Sequence, residues 1–182
     1  SSRRSITSCI TAARENVRQV RENVSSEMWE RVNALHLRLA SQDAEAEFTS
    51  RPHEFFRAVL EGVERFHGAA VETMTRGEGW DFMQIGLHVE RATATARLLA
   101  GHFTDVEAAW GVPVPLAEYL EWSGLLRSCC AFEAYCRRHT AELRPDRVAA
   151  FLLLDSHCPR SIRFACLEIS RALASLAELV PS

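Results

Sequence analysis

The stretch from Trp80 to His102, WDFMQIGLHVERATATARLLAGH, decides the fold. It runs for 23 residues without proline, and its apolar positions recur every three or four residues rather than every second one. That period predicts a helix. Met83, Leu87 and Ala94 line one side, and Ile85, Ala92, Ala96 and Leu99 line another. A helix apolar on more than one side belongs among neighbours, so we place it at the centre of a bundle.

The same period continues in both directions. Ile6, Ile10, Ala13, Val17, Val20 and Val24 fall within about 80° on a helical wheel. Ser25-Ser26 interrupts, and Glu27 and Glu30 open a second helix carrying Trp29, Val32, Leu35, Leu37 and Leu39. Ser41 to Arg51 reads as a polar loop, and Pro52 sits at the first turn of a helix that continues through Phe55, Phe56, Val59, Val63, Phe66 and Ala70 toward Met74. Arg76-Gly77-Glu78-Gly79 is a break. Beyond the central helix, a short tail reaches Trp110 and stops at Gly111-Val112-Pro113; Leu116 to His139 reads as one long helix. Pro145 starts a shorter helix through Leu154, and Pro159 begins the last, with Ile162, Cys166, Ile169, Leu173, Leu176 and Val180 in register. The expectation is all-α: one domain over 1–182, an antiparallel bundle of about six to seven helices.

Composition excludes several classes. With 182 residues, 47% of them apolar, the chain can bury a core. Twenty-one basic against 24 acidic side chains leave a net charge of −3, which argues against a general nucleic-acid binder. No apolar run reaches the roughly eighteen residues of a membrane span, and the polar amino end is unlike a secretory signal. All 21 basic residues are arginine, so Schiff-base and P-loop lysine chemistry is excluded. Cys9, Cys129, Cys130, Cys136, Cys158 and Cys166 form no Cys-x-x-Cys pair, so reduced, mostly buried thiols in a cytoplasm are expected. Glu64-x-x-His67 has di-iron spacing, but no second copy exists and no metal site is expected. The His157-Cys158 pair precedes Pro159, and adjacent loop residues rarely face each other as nucleophile and base. The opening Ser1-Ser2-Arg3-Arg4, without an initiator Met, suggests a trimmed fragment.

Polar residues interrupting the apolar pattern are the candidate site. Glu90 falls within roughly 80° of Met83, Leu87, Ala94 and Arg97 on the wheel, with Arg91 close to Trp80 and Leu98. Burying a carboxylate and a guanidinium demands partners, either an internal network or a ligand. The network expected here joins Glu90, Arg91, Asn16, Asp155 and Ser161. On the first helix Arg14, Arg18 and Arg21 line one flank of the apolar stripe, either a solvated face or an anion groove; with Arg91, Arg97 and Arg160 they are the anion-binding candidates. If the chain is an enzyme, Glu90 is its acid or base.

Several stretches resemble the bacterial alpha-E domain, an all-helical family named for its Glu-Arg motif. They are Ala13-Arg14-Glu15-Asn16 with Arg18 and Arg21-Glu22; Ser26-Glu27-Met28-Trp29-Glu30 with Asn33; Trp80-Asp81-Phe82 with Val89-Glu90-Arg91-Ala92 and Ala96-Arg97-Leu98-Leu99; and Phe151-Leu152-Leu153-Leu154-Asp155 with Pro159-Arg160-Ser161-Ile162. Family members usually carry an earlier Gly-Arg-Tyr-x-Glu-Arg-Ala segment, which this chain lacks. The family's Gly-Arg pair is Gly86-Leu87 here, followed by His88. The resemblance implies an accessory role beside a circularly permuted ATP-grasp ligase and a transglutaminase-like protein, in peptide ligation or modification with a peptide as substrate. ATP and magnesium would then sit on the partner ligase and this chain would bind no cofactor. The remaining alternatives are an enzyme acting on a peptide or carboxylate, with arginines as anion clamp, and a homo-oligomerisation module.

Overall fold

The computed structural model describes residues 2–103, 116–139 and 142–179. All regular structure among them is helical, as the periodicity predicts. Two compact units divide the chain, Ser1–Arg76 and Gly77–Ser182.

In the first unit α1 (Ser2–Gln19) is followed by a single 3-10 turn at Arg21–Asn23, then α2 (Ser26–Ala40), α3 (Gln42–Ser50) and α4 (Pro52–Thr73). α2 is the element the others share, touching α1, α3 and α4. Its buried residues Met28, Val32, Leu35 and Leu39 follow the helical period, while Leu37 is exposed. Ser25 caps it, its Oγ accepting the Met28 N–H at 3.1 Å, and Thr73 at the end of α4 donates to that same oxygen. Gly62 lets α4 approach closely, since a Cβ there would lie 2.7 Å from Leu35 Cδ1. Leu35, Leu39, Ala44 and Phe55 form the core.

The stretch 41–51, expected as a loop, is mostly helix. Ser41 Oγ accepts the Ala44 N–H at 3.2 Å and starts α3, whose Ala44 and Phe48 join the core. One buried face is enough to hold a short helix whose composition is otherwise polar.

The second unit holds α5 (Glu78–Phe103), α6 (Leu116–Ser128), α7 (Phe132–His139), α8 (Pro145–Leu154) and α9 (Ile162–Leu179). Where one helix over Leu116–His139 is expected, the chain turns at Cys129–Ala131. Ala131 donates to the Leu126 carbonyl at 2.8 Å and Cys130 to that of Arg127 at 2.9 Å, the paired bonds of a Schellman C-cap. Cys130 has φ of 50° there, a position glycine usually fills, so no glycine marks the turn in the sequence. This break and α3 raise the count above the six or seven expected. The tail ending at Gly111-Val112-Pro113 lies outside the described residues. The core gathers Leu99, Leu125, Leu126, Tyr135, Val148 and Leu152 among others. α5 pairs mainly with α9 and runs antiparallel to it: Ser175 donates to Asp81 at one end and Thr95 to the Arg160 carbonyl at the other.

Candidate functional site

The α5 face turned toward α9 is not its most apolar one. Asp81, His88 and Thr95, spaced by seven residues, are buried together with Leu99. Two of the three polar groups are matched: Ser175 Oγ donates to Asp81 Oδ2 at 2.7 Å, and Thr95 Oγ1 donates to the Arg160 carbonyl at 2.9 Å. His88, 4% exposed, packs its ring 5.8 Å from that of Phe164 on α9, and its Nδ1 has no hydrogen-bond partner among the described residues. Burial lowers its pKa, and the neighbouring Arg91 lowers it further, while Glu168 on α9 opposes both.

Glu90 is exposed, which corrects the expectation of a buried Glu-Arg network. At 100° per residue, its side chain leaves α5 about 160° from the buried stripe, whereas Arg91 leaves about 60° from it. Arg91 is therefore half-buried, and so is Arg160, just before α9. Arg91 shares the α5 face one turn before Thr95, whose hydroxyl holds the Arg160 backbone. Burial and then the Arg160 charge push the Arg91 guanidinium below its ordinary pKa, with Glu90 only partly offsetting them. Among the described residues neither guanidinium has a side-chain hydrogen bond or ion pair. Two half-buried guanidiniums thus lie within electrostatic reach of each other, neither of them ion-paired to an acid among the described residues, an arrangement suited to receiving an anion.

The other expected anion-binding arginines are occupied or isolated. Arg14 donates to Asn33 Oδ1 at 2.7 Å and stacks 5.3 Å from the Trp29 ring centroid. Arg21 donates to the Val24 carbonyl at 3.1 Å and lies over the same ring. Arg18 pairs with Glu15 at 2.6 Å; that hydrogen bond brings the Glu15 carboxyl down to about 2. The first-helix flank is therefore a set of local contacts rather than an open groove. Arg97 is exposed on α5, and Asn16 is exposed on α1 rather than part of a buried network.

Asp155 and Ser161 do meet. The loop after α8 folds over the Asp155 carboxylate, whose Oδ1 accepts the His157 N–H at 2.7 Å and the Cys158 N–H at 2.8 Å. Arg138 reaches its other oxygen at 2.7 Å. Ser161 Oγ donates to the Asp155 carbonyl and accepts the Phe164 N–H at 3.0 Å, capping α9. This loop fixes where Arg160 emerges.

The Cys158 thiol is not poised as a nucleophile. Cys158 is 4% exposed, and burial pushes its thiol pKa up, as it does for Cys129. His157 is exposed, with its Nδ1 3.1 Å from Ser156 Oγ. The expectation of mostly buried thiols holds for Cys129 and Cys158 alone; Cys9, Cys130 and Cys166 are exposed and Cys136 half-buried. A cleft of about 450 Å³ lies beside this loop, lined by Arg137, Arg138, Phe151 and Asp155 among others. Among the described residues no three His, Cys, Asp or Glu side chains are placed to hold a metal, and no described helix is long and apolar enough to cross a membrane.

Asp81, His88 and Thr95 were not among the expected site residues. Their signal was the seven-residue spacing, which keeps one helix face over several turns.

Comparison with known proteins agrees with the architecture. An uncharacterised protein of Mycobacterium bovis is 25% identical over 173 residues, covering 89% of this chain and 18% of that protein. An uncharacterised protein of Mycobacterium tuberculosis is 28% identical over 120 residues, covering 66% of this chain and 13% of that protein. The chain thus spans less than a fifth of the length of these curated relatives. No solved structure matches it. The Alpha-E family model, described as a predicted alpha-helical domain with a conserved ER motif, matches residues 1–181, and the chain belongs to that family.

Proposed function

We propose that this chain is a non-catalytic accessory domain that receives an anionic group of a peptide substrate or partner at the Arg91–Arg160 pair. The observation that carries the reading is that pair of half-buried guanidiniums without an acid partner among the described residues. The thiols of Cys129 and Cys158 are buried, and burial raises their pKa, which leaves these two poor nucleophiles. The family resemblance supplies the setting: peptide ligation or modification, with an ATP-grasp-type ligase and a transglutaminase-like protein as partners. The ligase would hold ATP and magnesium.

The test is ATP-dependent amide formation by the ATP-grasp-type ligase, assayed with the domain, without it, and with Arg160→Gln. We expect omission to lower turnover of the peptide substrate and Arg160→Gln to raise its KM about tenfold, the loss of one charge-assisted contact. Unchanged turnover on omission would overturn the accessory role. Should Glu90→Gln abolish turnover while peptide binding persists, the domain would be an enzyme instead.

A further inference from the structure

His88 sits one helical turn before Arg91 on α5, close enough in register for the two side chains to interact. Its ring is sealed under Phe164, 4% exposed, and its Nδ1 is unpartnered among the described residues. The charged groups that bear on it are Arg91 from its own helix and Glu168 from α9, and Glu168 is itself bonded to Arg171. Arg91 in turn feels Arg160. Three groups that are or can become cationic therefore lie in a short chain of electrostatic contacts.

A single carboxylate would neutralise one of the two guanidiniums and leave the other with a half-buried charge. A dianion would neutralise both. It would also remove the Arg91 repulsion that disfavours a proton on His88 and leave Glu168 as the charge acting on the ring. We propose that the Arg91–Arg160 pair holds a doubly charged tetrahedral oxyanion, the chemistry of a phosphoryl group, and that His88 takes up a proton as it binds. The inference rests on the anion-receiving reading above and adds the charge class of the ligand and its linkage to pH.

The signs follow from linkage. Without ligand, His88 binds its proton less readily folded than unfolded, because burial and Arg91 both oppose the charge. Acidification below the unfolded value of about 6.5 therefore favours the unfolded chain. With the anion bound, proton affinity at His88 rises, and by reciprocity anion affinity rises as pH falls.

Sulfate is the probe, because it stays dianionic over the range where histidine titrates. Calorimetric titration of the full chain with sulfate from pH 8.5 to 5.0 should show affinity rising about tenfold toward acid, as one pKa unit of linkage requires. Titrations near pH 6 in buffers of different ionisation enthalpy should show proton uptake. Acetate should bind at least about tenfold more weakly than sulfate, for lack of the second charge. The His88 ring resonances, followed by NMR in the unmutated chain, should titrate at higher pH with sulfate present, so the result does not depend on a core variant folding. His88→Gln, where folded, should bind sulfate without the pH trend. No sulfate binding at any pH overturns the anion site itself. Sulfate binding with no pH trend or unmoved His88 resonances overturns the proton linkage alone, and acetate binding as tightly as sulfate overturns the charge class alone.

Discussion

Asp155→Ala should lower the stability of the chain by about 2–4 kcal/mol, read from urea unfolding. The Asp155 side chain is 4% exposed, and its carboxylate accepts the backbone N–H groups of His157 and Cys158. Removing it leaves the buried Cys158 N–H without its acceptor, and an orphaned buried donor costs about 1–3 kcal/mol. Losing the second charge-assisted bond accounts for the rest. Arg138 contributes little to this sum, because its side chain is 57% exposed and water screens it. Asp155→Asn keeps the acceptor oxygen and should cost less than half as much. Burial alone would raise the Asp155 pKa, but the two N–H groups and then Arg138 outweigh it and hold the carboxyl below its ordinary value. The stabilisation is therefore complete above the unfolded value of about 3.9 and disappears as pH falls through the folded one. Unfolding curves at pH 7 and pH 3 should show the wild type losing more stability than Asp155→Asn over that interval.

Phe55→Ala should cost about 3–5 kcal/mol, the range for truncating a buried aromatic ring. Phe55 is 1% exposed and meets Phe48 edge to face at 5.2 Å between centroids and Phe56 at 5.7 Å. It joins α4 to the shared core of α2 and α3. The tight packing at Gly62 against Leu35 limits how far α4 can settle into the space left behind. Phe55→Leu retains much of the volume and should cost less than about 2 kcal/mol. Thermal unfolding of both variants checks the pair; equal losses would mean that ring volume is not what this position supplies.

The fold class was legible because amphipathic period survives in nearly every segment. Boundaries were legible where chemistry marks them: Pro52 and Pro145 open α4 and α8 at their first turns, and Ser25 caps α2. Two boundaries were hidden. α3 is polar apart from one small face, and the α6–α7 turn places Cys130 where a glycine would have announced it. The site was harder to read for a related reason. Counting apolar residues on α5 selects the stripe through Met83, Leu87 and Ala94, which is also where Glu90 lies. The interface with α9 instead takes Asp81 and Thr95, which satisfy Ser175 and the Arg160 carbonyl, and so tolerates polar side chains. Which arginines are engaged depends on neighbours distant in sequence, such as Asn33 for Arg14, and composition carries no trace of that.

An arginine held for a ligand differs from one held for the fold in what its removal does to the empty protein. The decisive measurement is the melting temperature of Arg91→Met against the wild type, in low-salt chloride without divalent anions, since Met keeps the apolar stem and removes the charge. Relief of the repulsion with Arg160 predicts a melting temperature equal to or above that of the wild type. A fall of several degrees, as when a buried ion pair worth about 3–5 kcal/mol is broken, would show that Arg91 serves the fold and contradict the account.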